Sequence, residues 1–461
     1  MTPQTPPTVW MVIDLALEAL RHGVQIVGSP GSGKSLILKA FRMSLIRLMQ
    51  MRPRFDLHIV DFDSKRDLYG IQRAFPPFCP VFDVNPFVWA DIYDLLGDID
   101  DPRDIWELVA QLIDISTNSS QPFFPQAARL IQDGVTTRHW EYAWSVADFR
   151  DLVLSSTDPE RTRMVLGSHP LTKGLLAMVT DNEVGLSVLA TLMNEMARFR
   201  TIAALQGSNT KGRKVSVRSV LKNRFSYFSL PYDDKSVETL AAFTRLILVR
   251  LQQTLLAENL AHRYAVVLLD ELALIPKGVD LSLGSIKGRE AGWCPVFAYQ
   301  SPTMARVAFS KDRFDAAVST LKTFVVMNLP DEADAAWAAK RLASHQGFLR
   351  IDSSSIATPR GGGGQGSTVT HGWAENFTTL ENVTPGEIQA LPVPTPGNPV
   401  IEGIMATIPF KPFKFRIDIP TLVAQFFPKG PPVAPPSPRD PKDMVLRVWD
   451  SSDLKRLRLS R

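Results

Sequence analysis

Gly28-Ser29-Pro30-Gly31-Ser32-Gly33-Lys34-Ser35 decides how the rest of this chain is read. A short apolar run, Val24-Gln25-Ile26-Val27, precedes it and reads as a buried strand. Leu36-Ile37-Leu38-Lys39-Ala40-Phe41 follows with helix-forming composition. Strand, glycine loop and helix in that order are the context a phosphate-binding loop requires. The glycines let backbone N–H groups turn inward around a phosphate chain, and the helix N-terminus adds its dipole and unpaired donors. Gly28 through Leu36 would wrap the phosphates, Lys34 would reach the terminal ones, and the Ser35 hydroxyl would hold Mg²⁺. The bland alternative is a glycine-rich turn that fits the pattern by accident; the flanking strand and helix argue against it.

The chain has 461 residues, enough for two or three domains, and 45% hydrophobic content supports a sizeable core. A net charge of +4 is too mild to imply nucleic acid, so the placement of charge must carry that question. Cys79 and Cys294 lie far apart with no CxxC spacing, and the seven histidines show no ligand pattern. Neither a disulfide framework nor a zinc site is expected, and a reducing cytosol fits. No apolar run approaches the roughly eighteen residues of a membrane span. The N-terminal stretch from Trp10 to Leu20 reads as an amphipathic helix, giving an N-terminal helix over 1–23.

The helix after the glycine loop runs to about Met51, where Pro53 stops it. A second strand begins at Leu57 and ends in Asp61, Asp63 and Lys65; a third covers 81–84. From 99 to 206 apolar residues recur at helical spacing, which reads as an all-α insertion. Whether it handles substrate or is plain structure stays open. The α/β pattern resumes at Phe225, continues through a long helix from Val237 to Glu258, and reaches Tyr264-Ala265-Val266-Val267-Leu268-Leu269-Asp270-Glu271. That run has the form of a buried parallel strand carrying carboxylates to its C-terminal tip. Two further strands end at Gln300-Ser301 and at Asn328. The expected organisation is a split α/β motor domain over 24–98 and 225–418, the all-α insertion, and a basic connector over 207–224. A proline-rich linker with a basic tail covers 425–461. Residues 359–367 read as a glycine-rich linker, and the tail either docks a partner or packs on the body.

Asp270 and Glu271 complete a nucleotide-hydrolysing site: Asp270 for Mg²⁺, Glu271 as general base for the attacking water. Gln300 at the next strand tip would hydrogen-bond that water or the γ-phosphate, or merely cap the strand. Arg289 reads as a finger acting in trans on a neighbouring subunit, or as a surface salt bridge. Between Arg198 and Arg224 stand eight basic residues and no acid. Its loop-like middle makes Lys211, Arg213, Lys214 and Arg218 candidate DNA contacts, against the alternative of a solvated basic face.

These stretches, with Asn85-Pro86-Phe87, Phe123-Phe124-Pro125-Gln126-Ala127-Ala128, Tyr227-Phe228-Ser229-Leu230-Pro231, Gly288-Arg289-Glu290-Ala291-Gly292 and Thr384-Pro385-Gly386-Glu387-Ile388, appear in an ordered series. In that order and spacing the chain resembles the TraD/TraG-type coupling proteins of conjugation and type IV secretion, within the FtsK–HerA superfamily of RecA-like motors. The resemblance runs from about 24 to 418. It implies a RecA-like P-loop NTPase with a mostly parallel central sheet and an inserted all-α domain. It also implies ATP and Mg²⁺ as cofactors, a hexameric ring with nucleotide sites between subunits, and ATP-driven movement of DNA or a DNA–protein complex. Two departures stand out. Family members usually begin with transmembrane helices, whereas here the glycine loop starts at residue 28, so the chain is expected in the cytoplasm or held at the inner face of the membrane by a partner. Ser64-Lys65-Arg66-Asp67 stands where the family more often has glycine and glutamate after the lysine. The competing readings are a motor delivering protein effectors to a secretion channel and a non-hydrolysing, nucleotide-gated adaptor.

Overall fold

The computed structural model describes residues 8–459 except 52, 63–66, 114–121, 143–147, 210, 233–234, 259–261, 276–278, 280, 282–286, 355–377, 380–382 and 409. Lys65, Ile286 and the glycine-rich run 359–367 lie outside the described residues. The strands in chain order are β1 Thr8–Met11, β2 Ile13–Ala16, β3 Val24–Val27, β4 Asp56–Phe62, β5 Val81–Asp83, β6 Ile92–Tyr93 and β7 Lys214–Val215. They continue as β8 Phe225–Ser229, β9 Arg263–Asp270, β10 Trp293–Tyr299, β11 Thr323–Val326, β12 Thr378–Thr379, β13 Val400–Thr407 and β14 Phe410–Asp418. Ten of them form one sheet in the order β12-β14-β13-β11-β3-β10-β9-β4-β8-β5.

The centre of that sheet is parallel: β11, β3, β10, β9 and β4 all pair that way. Parallel strands covered on both faces read as continuous apolar runs, and β3, β10 and β11 are buried along their whole length. Helix α1, Lys34–Gln50, packs Ile37, Leu38, Phe41, Leu45 and Ile46 into the same core. The C-terminal tips of β3, β10, β9 and β11 therefore share one edge, where ligands of open α/β sheets bind. At the far edge β13 and β14 form an antiparallel hairpin with one irregularity between Met405 and Thr407.

The N-terminal helix does not form. Thr8–Met11 and Ile13–Ala16 pair as an antiparallel hairpin, and Leu17–His22 is a 3-10 turn. Val12 at the bend takes φ 70°, a strained value for a β-branched residue. The reason is local: Thr8, Val9, Trp10, Val12 and Ile13 favour extended backbone. Leu15 and Leu17 are buried while Asp14, Ala16 and Glu18 are exposed, a period of two. The Trp10 amide donates to Ser44 Oγ at 2.7 Å, tying the hairpin to α1.

The chain divides into two compact units. The first, Met1–Val81, Arg224–Tyr227 and Leu255–Ala434, carries most of the sheet. The second, Phe82–Asn223, Phe228–Thr254 and Pro435–Arg461, is mostly helical. Helices Pro102–Leu112, Phe123–Glu141, Asp148–Ser156, Pro159–Gly167, Glu183–Ala197 and Arg200–Ser208 build it, and β6 pairs with β7 in parallel. That strand pair lies outside 99–206, where the described residues form helices and no strand, as expected of the insertion.

From Pro435 onward the C-terminal tail belongs to this second unit and packs on it. Asp453 pairs with Arg150 at 2.7 Å and Arg456 with Asp151 at 2.8 Å. Trp449 Nε1 donates to Asp151 Oδ1 at 2.9 Å, Leu457 and Leu459 are buried, and the Arg439 guanidinium stacks 3.6 Å over Trp89. The sequence shows only its prolines and cations; the partners lie about 300 residues earlier in the chain.

One helix, Val237–Glu258, is long and apolar enough by length and composition to cross a membrane, contrary to the expectation of no such run. Some 67% of its most apolar window is buried inside the fold. It carries Arg250, 1% exposed, which pairs with Asp104 at 3.2 Å and donates to the Asp98 carbonyl.

Candidate functional site

The glycine loop is held on both sides. Gly28 N donates to the Tyr299 carbonyl on β10 at 3.3 Å, and Ser29 N donates to the Asn328 carbonyl beyond β11 at 2.8 Å. Ser32 N returns to the Ser29 carbonyl at 3.2 Å, closing the turn. The backbone explains the glycines. Gly31 and Gly33 stand at φ 80° and 100°, and a Cβ on Gly33 would meet Ile401 at 2.6 Å. Ser32 is buried, and its Oγ has no hydrogen-bond partner among the described residues. Pro30 sits on the bend, Lys34 opens α1 with its side chain buried, and Ser35 and Leu36 follow in the first helical turn. A tight glycine turn with a buried orphan hydroxyl and a buried lysine at a helix N-terminus fits a phosphate chain.

The acids arrive on the adjacent strands. Asp270, the last residue of β9, is 1% exposed and faces Ala298 of β10 in register. Glu271 follows with φ 86° and ψ 76°, a left-handed conformation that is uncommon for a residue with a Cβ. Its amide donates to the Ala298 carbonyl at 3.1 Å, which locks the bend. The carboxylate then meets two of the residues expected with it. Gln300 Nε2 donates to Glu271 Oε2 at 2.6 Å, and Lys34 Nζ lies 3.7 Å from the same oxygen. Gln300 is therefore a partner of the acid here rather than a strand cap.

Asn328 was not foreseen. Its Oδ1 accepts from Ser29 Oγ at 3.0 Å, and its Nδ2 donates to the Gln389 and Leu391 carbonyls at 2.9 and 2.7 Å. The available signal was a lone polar residue ending a strand of the same series as those ending in Asp270 and Gln300. Asp61 is a second correction. It does not face the ligand edge but lies fully buried in β4, 2.7 Å from Arg42 Nε of α1, and accepts the Tyr227 hydroxyl.

Arg289 lies at the other end of the sheet. Its carbonyl accepts from Arg21 Nη1 at 2.9 Å, and Gly288 and Gly292 bracket the start of β10. The length of β10 alone, seven residues, puts it about 20 Å from the loop of its own chain. Its side chain is exposed.

The basic connector is not a flexible loop. Residues to Ser208 are helical, Asn209 is buried with Nδ2 on the Ala90 carbonyl at 2.9 Å, and Lys214 opens β7. Arg213 pairs with Asp91 at 2.8 Å. Arg218 reaches Asp104 at 3.3 Å, the Asp98 carbonyl at 3.1 Å, and Asp100. Burial pushes the Asp98 carboxyl up, against hydrogen bonds from Tyr93 and the Arg218 amide. Lys211 is exposed and Lys214 partly so. Two of the four cations are thus committed to carboxylates of their own unit.

Sheet order, loop and strand-tip acids define a RecA-like fold of the P-loop NTPase class. A family model of the type IV secretion-system coupling protein DNA-binding domain matches residues 11–395, and the chain belongs to that family. No curated protein matches the chain in sequence. Among solved structures, the bacterial conjugative coupling protein TrwBdeltaN70 in its unbound form superposes with a TM-score of 0.65 at 15% identity, covering 94% of this chain and 92% of that one. The plasmid coupling protein TrwB in complex with ADP and Mg²⁺ gives 0.63 at 14% identity, over 96% and 93% of the two chains. At such identities the likeness is one of fold.

Proposed function

We propose that this chain is an ATP-driven DNA translocase of the coupling-protein type, working as a ring with nucleotide sites at the subunit interfaces. The observation that carries the reading is the convergence of Lys34, Glu271 and Gln300 beside the glycine loop. The backbone of Gly28 to Leu36 wraps the phosphates of ATP, and Lys34 gives up its contact with Glu271 to hold the terminal one. Ser35 and Asp270 would hold Mg²⁺, which would supply positive charge to neutralise the phosphate oxygens. Glu271 takes the proton of the attacking water, and Gln300 keeps it aimed. Arg289 lies too far from its own loop to serve it, so it serves a neighbour's site. TrwB was solved with ADP and Mg²⁺ and with GTP and ATP analogues, which supports the same cofactors here. The family description supports DNA as cargo. The site of action is the cytoplasm or the inner face of the membrane.

The test is ATP turnover measured with and without single- and double-stranded DNA. Lys34→Ala should abolish productive ATP binding, and Glu271→Gln should bind ATP but not turn it over. Near-full turnover by Glu271→Gln would remove the general-base role, and indifference to DNA would favour protein cargo.

A further inference from the structure

The two flanks of the glycine loop are chemically unlike. On the β10–β9 side stand Asp270, Glu271 and Gln300, and Lys34 Nζ leans toward Glu271. A terminal phosphate held by Lys34 therefore lies on that side, and the nucleoside end of the same molecule leaves toward the other. There the chain after the helix Pro385–Gln389 is clamped against the loop. Asn328 holds the Gln389 and Leu391 carbonyls with one amide group and Ser29 with its oxygen, so segment and loop share one anchor.

The segment is Leu391-Pro392-Val393-Pro394, and no charged residue occurs from Ala390 to Val400. Leu391 is buried at 6%, Val393 is 36% exposed, and the prolines on both sides limit the backbone to extended forms. A Cβ on Gly31 would sit 3.5 Å from Val393 Cγ1, so the valine stands directly against the loop. This is a small, stiff surface of methyl and ring carbons, fixed in register with the phosphate site. The flat face of a purine and the carbon face of a ribose suit such a surface, and a bare phosphate chain gains nothing from it.

We propose that Pro392 and Val393 form the platform on which the base and ribose of the nucleotide lie. This rests on the nucleotide-binding reading above. The experiment measures binding of ATP and of inorganic tripolyphosphate, each with Mg²⁺, to the full chain carrying Glu271→Gln so that neither is consumed. Val393→Asn should weaken ATP about tenfold, the effect of trading part of a valine's apolar contact for a neutral polar group, and leave tripolyphosphate unchanged. Val393→Ala should weaken ATP about threefold, again sparing tripolyphosphate. Val393 is exposed, so both variants should keep the thermal midpoint of the parent chain. Equal loss for both ligands, or no loss for ATP, would overturn the platform. Failure of the chain with Val393 intact to bind either ligand would instead bring down the nucleotide-binding reading itself, and the platform with it.

Discussion

Gln300→Leu isolates how the acid is aimed. The substitution puts an apolar side chain of comparable bulk in place of the amide and removes the bond from Nε2 to Glu271 Oε2 at 2.6 Å. A hydrogen bond to a charged group contributes about 1.5–3 kcal/mol. Glu271 sits at φ 86°, a backbone state that costs about 1–3 kcal/mol and persists only under outside restraint. The remaining restraints are its amide on Ala298 at 3.1 Å and Lys34 at 3.7 Å. In the proposed mechanism Lys34 moves to the phosphate, which would leave Gln300 as the acid's main side-chain partner. Losing it should lower kcat by about 10- to 100-fold, one decade per 1.36 kcal/mol. KM should stay within about twofold, because the cradle from Gly28 to Ser35 is untouched. The assay is steady-state turnover of four chains: parent, Gln300→Leu, Glu271→Gln and the double variant. If Gln300 acts through Glu271, the second loss vanishes once the acid is gone. Additive losses in the double variant would refute this and return Gln300 to a direct contact with water or phosphate.

Further outcomes follow from the same geometry. Arg289→Ala should leave nucleotide binding intact and cut turnover by about 10³-fold or more; mixing it with Glu271→Gln chains should restore part of the rate, and no rescue in verified mixed assemblies would exclude a finger in trans. Because Arg213 and Arg218 are held by Asp91, Asp100 and Asp104 while Lys211 is exposed, the DNA test starts at Lys211: Lys211→Ala should make the slope of log affinity against log salt shallower by about 0.8. An unchanged slope removes this face from the DNA path. Asp453 is buried, which alone would raise its carboxyl, yet hydrogen bonds from Arg150 and Arg456 lower it from 3.8 to about 2. Its contribution is complete above pH 4 and is lost as pH falls through 2, about 2 kcal/mol in all. Unfolding curves of the parent chain and Asp453→Asn should therefore converge toward pH 2, and a constant gap between them would refute the assignment.

The glycine loop and the run ending at Asp270 and Glu271 were legible from sequence because their chemistry is local. A phosphate cradle needs glycines closely spaced within one short loop, and a buried parallel strand needs an unbroken apolar run. Equally local signals went unread: Phe410-Lys411-Pro412-Phe413-Lys414-Phe415-Arg416-Ile417-Asp418 alternates through most of its length as one strand of a half-buried hairpin, and Ile13 to Leu17 alternates too. Other features had no local signal. Gln300 and Glu271 are 29 residues apart, and Ser29 and Asn328 are 299 apart; only strand order makes them neighbours. Charge shows the limit most plainly. Eight cations without an acid read as one basic surface along the chain, but Arg213 and Arg218 meet carboxylates about 120 residues away. In the tail, Arg456 likewise closes on Asp151. Composition fixes how many charges a segment holds, whereas the potential it presents depends on which opposite charges the fold brings within a few ångströms, and that is decided by tertiary structure alone.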